Sequence, residues 1–74
     1  MKVTVKLFAS FRTGRFEIES VDYPVGTSVA DVADSLHLPR TELGIMMINN
    51  RHFKLDRLLA DGDTLALFPL LGGG

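Results

Sequence analysis

Cysteine is absent from the 74-residue sequence, which excludes disulfides, thiolate-bound metals, iron–sulfur clusters and a cysteine nucleophile in one step. Any sulfur chemistry must then use sulfur supplied by another molecule. An excess of charge of one sign is also missing. Eight Lys and Arg stand against nine Asp and Glu, for a net charge of −1, and the basic residues are scattered, so no footprint for nucleic acid is present. No apolar run is long enough to cross a bilayer, and Met1-Lys2-Val3 opens no signal-peptide apolar region. The expectation is a cytoplasmic protein with neither nucleic acid nor membrane as partner. The sequence contains no Ser/His/Asp set, phosphate loop or zinc spacing. His37 and His52 have no ligand spacing around them and read as a helix-end and a strand-surface histidine, so no metal site is expected. Asp61 and Asp63 flank a turn glycine and read as a solvated hairpin, not a cation site.

What is present suffices for one ordered domain. Hydrophobic residues make up 46% and charged residues 23%, a balance of globular chains and not of disordered ones. At this length a single core is close to the minimum that folds without staples, so the core must be efficient.

Two periodicities organise the chain. From Met1 to Ala9, Val3, Val5 and Leu7 alternate with Lys2, Thr4 and Lys6, the period of a half-buried strand. A polar segment, Ser10 to Gly14, leads to Phe16 and Ile18 alternating with Arg15, Glu17 and Glu19, a second strand that completes a hairpin. Pro24, Gly26, Thr27 and Ser28 break the pattern, and Ser28 with Asp31 three residues on resembles a capping box. Val29, Val32, Ala33 and Leu36 then form one helical stripe, which Pro39 ends near His37. Gly44 to Asn49 is a third strand, Asn49-Asn50 a tight turn, and Arg51-His52-Phe53 a short fourth. After the Asp61-Gly62-Asp63 turn, Leu65 and Leu67 alternate with Ala66 and Phe68 in a last strand, which Pro69 closes. This order implies an α+β fold in two layers, a mixed sheet of four to five strands with one main helix on one face and the first and last strands paired in parallel at its centre. That is the β-grasp, ubiquitin-like arrangement, with a domain expected over 1-69 and a flexible tail over 70-74.

The segment Leu58-Leu-Ala-Asp-Gly-Asp-Thr-Leu-Ala-Leu-Phe-Pro-Leu-Leu-Gly-Gly-Gly74 resembles the end of the MoaD/ThiS family of ubiquitin-like sulfur carriers, in which a DGD-type turn, an apolar strand and a terminal Gly-Gly follow one another. Pro24 to Val32 is similar to that family's turn into its helix. Leu7-Phe8-Ala9-Ser10-Phe11-Arg12 followed by Gly14 is closer to the molybdopterin synthase small subunit than to the thiazole-pathway carrier. The resemblance implies that the Gly74 carboxylate is adenylated by an E1-like enzyme using ATP and magnesium. A sulfurtransferase or persulfide donor then makes a thiocarboxylate, which donates sulfur to a larger synthase subunit (MoaE-like), most plainly in molybdenum cofactor biosynthesis, or to thiazole synthase in thiamine biosynthesis. The chain itself would be no enzyme but a protein co-substrate or non-catalytic small subunit, with no cofactor bound.

Physical reasoning gives the tail its part. Without side chains, Gly72, Gly73 and Gly74 can thread a channel too narrow for other residues and lie against a partner's backbone. The sheet face turned from the helix would carry Ile45, Met47, Ala66 and Phe68 if Met46, Ile48, Leu65 and Leu67 point inward; Phe8 would extend it toward the tail, as would Leu70 and Leu71 unless those two pack back on the body. An apolar face of that size suggests partner docking; a register one residue different would bury it instead. Two other functions use the same features. In a ubiquitin-like modifier a lysine amine captures the activated Gly74, and in a non-covalent β-grasp interaction module the tail is inert.

Overall fold

The structure is a computed structural model and describes residues 1–70. Among them, five strands form one sheet: β1 (Lys2–Leu7), β2 (Ile18–Asp22), β3 (Leu43–Ile48), β4 (Arg51–His52) and β5 (Thr64–Pro69), in the order β2-β1-β5-β3-β4. β1 and β5 run parallel at the centre, with Val5 opposite Leu65 and Leu7 opposite Leu67. The other pairings are antiparallel. One helix, α1 (Val29–Ser35), covers one face. This is the α+β, β-grasp arrangement that the strand and helix order implied.

Alternation decides the core. Val3, Val5, Leu7, Leu65 and Leu67 meet Val29, Val32 and Ala33 of α1, all fully buried. Each large aliphatic side chain removed from water in this way contributes about 2 kcal/mol.

A seven-residue helix is too short to hold itself together, and its ends are tied from outside. Ser28 and Asp31 form both halves of the capping box, at 3.1 and 3.0 Å. The Val29 and Ala30 N–H groups donate to the carbonyls of Arg57 and Leu55. At the other end His37 takes a left-handed φ of 59°, while Leu38 N–H donates to Ala33 and His37 N–H to Asp34, the two bonds of a Schellman motif. The Arg15 guanidinium caps this end by donating to the carbonyls of Leu36 (2.8 Å) and His37 (3.2 Å) and to that of Phe11 (3.2 Å). A cation at a helix C-terminus also opposes the negative end of the helix dipole. Just past the helix, Arg40 donates to the Asp34 carboxylate at 2.6 and 3.2 Å and holds that carboxyl below its ordinary range.

Two sequence expectations need correction. The segment after β1 is not a plain polar loop: Ala9–Arg12 is a 3₁₀ turn that buries Phe11 in the core, because Ala9 at φ 52° reverses the chain. The second strand starts later than the Phe16 alternation suggested. Phe16 packs on the core from the loop, whereas Ile18, opposite the outward Lys6, faces away from the helix and is 56% exposed. Val21, opposite Val3, takes the inward position. Pro69 closes β5 as the sequence suggested: it is the last residue of the strand, opposite Leu43 and buried.

The Asn49-Asn50 turn has both residues at positive φ. Asn49 also accepts a hydrogen bond from Thr64 N–H (2.9 Å) and donates to the Asp63 carboxylate (3.1 Å), tying the β3–β4 turn to the start of β5. Asp61 accepts from Lys2 N–H at 2.7 Å. Both aspartates of the DGD turn thus hold the hairpin.

His37→Gly removes the side chain that opposes a left-handed backbone and is expected to stabilise the fold by about 1 kcal/mol, read as a higher midpoint in urea unfolding. An unchanged or lower midpoint would show that the His37 side chain contributes more than its backbone costs.

Candidate functional site

The register of the three central strands assembles the outer face. Lys6 of β1 lies opposite Ala66 of β5; on β5's other side Met47 lies opposite Ala66 and Ile45 opposite Phe68. Directly paired residues share a face, so all of these point away from α1. Phe8 follows β1 with its N–H on the Leu67 carbonyl at 3.2 Å, and its ring stacks on Phe68 with centroids 4.1 Å apart and planes 11° from parallel. Ile45 is 38% exposed, while Phe8, Met47, Ala66 and Phe68 are half-buried by one another. The structure therefore brings together five of the seven apolar residues expected to dock.

The other two divide. Leu70 is 60% exposed but borders a separate groove with Phe11, Leu38 and Pro69. Leu71, Gly72, Gly73 and Gly74 lie outside the described residues.

The face also holds residues that sequence reasoning missed. Ile18 reaches the same side of the sheet and lines a shallow depression with Lys6, Phe8, Arg12 and Glu17. The signal for it was Val21, whose inward position forces Ile18 outward by parity. Arg12 sits with its guanidinium carbon 5.4 Å from the Phe8 ring centroid and is held there by a 2.8 Å bond to the Leu7 carbonyl and a 3.4 Å ion pair with Glu17. The guanidinium over the ring adds a modest cation–π attraction, and the exposed ion pair contributes little. Across the face, a depression of about 340 Å³ is lined by Lys6, Met47, Asn49, Asn50, Thr64 and the two phenylalanines, among others. The arrangement is an aromatic and aliphatic centre with two cations beside it. Among the described residues no group of histidines and carboxylates is placed to hold a metal ion, and no helix is long and apolar enough to cross a membrane. His52, opposite Met47, lies at the rim as a strand-surface residue.

The family model described as the ThiS family matches residues 5–74. The chain belongs to the ThiS family. Comparison with curated proteins finds no match. Among solved structures, a putative molybdopterin converting factor subunit 1 from Pyrococcus furiosus is 29% identical over 96% of this chain and 99% of its own, with a TM-score of 0.75. Small archaeal modifier protein 1 of Haloferax volcanii is 27% identical over 95% and 98%, also at 0.75. Subunit 1 or 2 in the Helicobacter pylori molybdopterin-converting factor complex matches at 20% identity over the whole of both chains and 0.66, which shows the fold alone. This ThiS-family chain thus falls among the ubiquitin-like sulfur carriers and modifiers, small proteins that serve as carriers or subunits.

Phe68→Ala loses the stack on Phe8 but opens no cavity in the core, and is expected to lower stability by about 1 kcal/mol, against about 3 kcal/mol for Leu65→Ala. Chemical unfolding of the two variants checks the order. Equal losses would place Phe68 in the core and dissolve the outer face.

Proposed function

We propose that this ThiS-family protein is a sulfur carrier working through the Gly74 carboxylate. The observation that carries the reading is the family match running through Gly74. The Phe8–Phe68 face supports it as the surface by which the body, residues 1-69, docks while the tail, 70-74, reaches a partner's active site. The carboxylate is a poor electrophile until activated. Bound to an E1-like enzyme with ATP and magnesium, a Gly74 carboxylate oxygen attacks the α-phosphorus, the bond to the β-phosphate breaks, and pyrophosphate leaves. The terminal sulfur of a persulfide on a sulfurtransferase then attacks the acyl carbon and AMP leaves. A second thiol cleaves the acyl persulfide, being oxidised to a disulfide as the sulfane sulfur is reduced to the thiocarboxylate.

The chain supplies the acyl group and the docking surface, and its partners supply every catalytic group. Having no cysteine, it cannot divert the sulfur onto itself. Molybdopterin synthesis is the favoured destination, with a larger synthase subunit as acceptor. The likeness to a converting-factor subunit 1 supports this. A thiazole synthase is the other destination within the carrier reading. The need for ATP and reduced sulfur donors in this reading favours the cytoplasm as the compartment where it works. The likeness to a small archaeal modifier favours a second reading, in which a lysine amine takes the acyl group and AMP leaves, forming an isopeptide.

Intact-mass measurement after incubation with ATP, magnesium, the E1-like enzyme and a persulfide donor tests the proposal. A gain equal to one oxygen replaced by sulfur, localised to Gly74 and abolished by one residue appended after it, is expected. Isopeptide adducts without that gain, made by an enzyme active toward this chain, would transfer the assignment to the modifier.

A further inference from the structure

Gly44 lies where β3 begins to pair with the end of β5. Leu43 is opposite Pro69, yet Ile45 is opposite Phe68, so the register slips there and Gly44 is the extra residue of a β-bulge. Its φ is not among the positive ones of the chain, so glycine is not needed for backbone conformation. It is needed for room. A Cβ on Gly44 would sit 2.7 Å from the Pro69 carbonyl oxygen, 2.9 Å from its carbon and 3.0 Å from the Leu70 Cα, all of them backbone atoms. A side chain there pushes away the last residues before the tail, which have no flexible end with which to yield.

A second contact holds the same place from the neighbouring turn. Leu70 N–H donates to the Glu42 carbonyl at 2.9 Å. Glu42 ends the 3₁₀ turn Arg40–Glu42 and is itself fixed by donating to Pro39 at 3.0 Å. Leu70 is 60% exposed, so what holds it is its backbone and not its side chain. Four residues beyond Leu70 span at most about 14 Å. With the body docked, the place and heading of Leu70 therefore limit where the Gly74 carboxylate can arrive.

We propose that Gly44 is a positioning residue for the activation of Gly74: its bare Cα admits the Pro69–Leu70 backbone, and with the Glu42 carbonyl it aims the tail from the body. This rests on the carrier or modifier reading, since both need the carboxylate placed at an activating enzyme. Misplacing a reacting group by about 1 Å costs up to about a hundredfold in rate, whereas the affinity of a docking face depends on residues that stay where they are.

The test compares Gly44→Ala, Leu70→Pro and Leu70→Ala with the wild type in ATP–pyrophosphate exchange by the E1-like enzyme. Gly44→Ala closes the gap and Leu70→Pro deletes the N–H donor. Both are expected to lower kcat about tenfold or more, with KM for the carrier changed less than about twofold. Leu70→Ala keeps the donor and serves as the side-chain comparison, its kcat expected to stay at least about fivefold above that of Leu70→Pro. If Leu70→Ala falls as far as Leu70→Pro, or if Gly44→Ala keeps wild-type kcat, the proposal is overturned. Should Gly44→Ala not fold, the two Leu70 variants decide. Amide hydrogen exchange at Leu70 reads the anchor without any partner: protection in the wild type that Gly44→Ala abolishes is expected, and equal exchange in both overturns the proposal. A wild type inert toward a demonstrably active E1-like enzyme, with the Leu70 amide still protected only when Gly44 is present, would sink the carrier and modifier readings and leave the anchor standing.

Discussion

The parallel pairing of β1 with β5 is the constraint on which the remaining structure depends. These are the two ends of the described chain, and once Val5 lies opposite Leu65 and Leu7 opposite Leu67 the faces of both strands are set by parity. One set of side chains then meets α1, and the alternate set is left on the outer surface. Slipping β5 by one residue against β1 would turn Leu65 and Leu67 outward and bring Ala66 and Phe68 to the helix side. The two-residue period therefore specifies the outer apolar face and the core together. Because β5 ends at Pro69, it also sets Leu70 beside the β3 bulge at Gly44.

Around that pair the structure is held by backbone groups met from elsewhere. A seven-residue helix survives because Arg57 and Leu55 carbonyls accept its first donors and Arg15 donates to its last acceptors. The same economy appears at the tail root, where the Glu42 carbonyl and the empty space at Gly44 define where Leu70 lies. In a chain too short for a large core, such ties convert loops into fixed supports. The outer apolar face and Leu70, where the described residues end, are both fixed by such ties.

Much of this was legible in the residues themselves. Strict alternation in Val3-Thr4-Val5-Lys6-Leu7 and in Leu65-Ala66-Leu67-Phe68 gave the inner and outer faces correctly, since each strand is long enough to show its phase. The Ser28–Asp31 cap was equally plain, because capping is local. Failures came where a local pattern competed with a tertiary one. Phe16 and Ile18 share a phase in sequence, but the 3₁₀ turn before them shifts the strand start, so they lie in different environments. Phe11 sits in a largely polar stretch and is nonetheless buried, because the left-handed backbone at Ala9 turns the chain and directs it inward.

By itself the sequence determined the periodicities, the caps, the turns, the absence of a thiol and the glycine end, and from these the fold and the class of protein follow. Each of those properties depends on neighbours within a few residues, where spacing alone carries the physics. Only the tertiary structure decided that Phe8 stacks on Phe68, that Ile18 and Arg12 join their face, that Arg15 caps a helix two elements away, and that Gly44 is glycine for room and not for conformation. These are meetings between residues up to sixty positions apart, and their geometry exists only once strand register brings the backbones together.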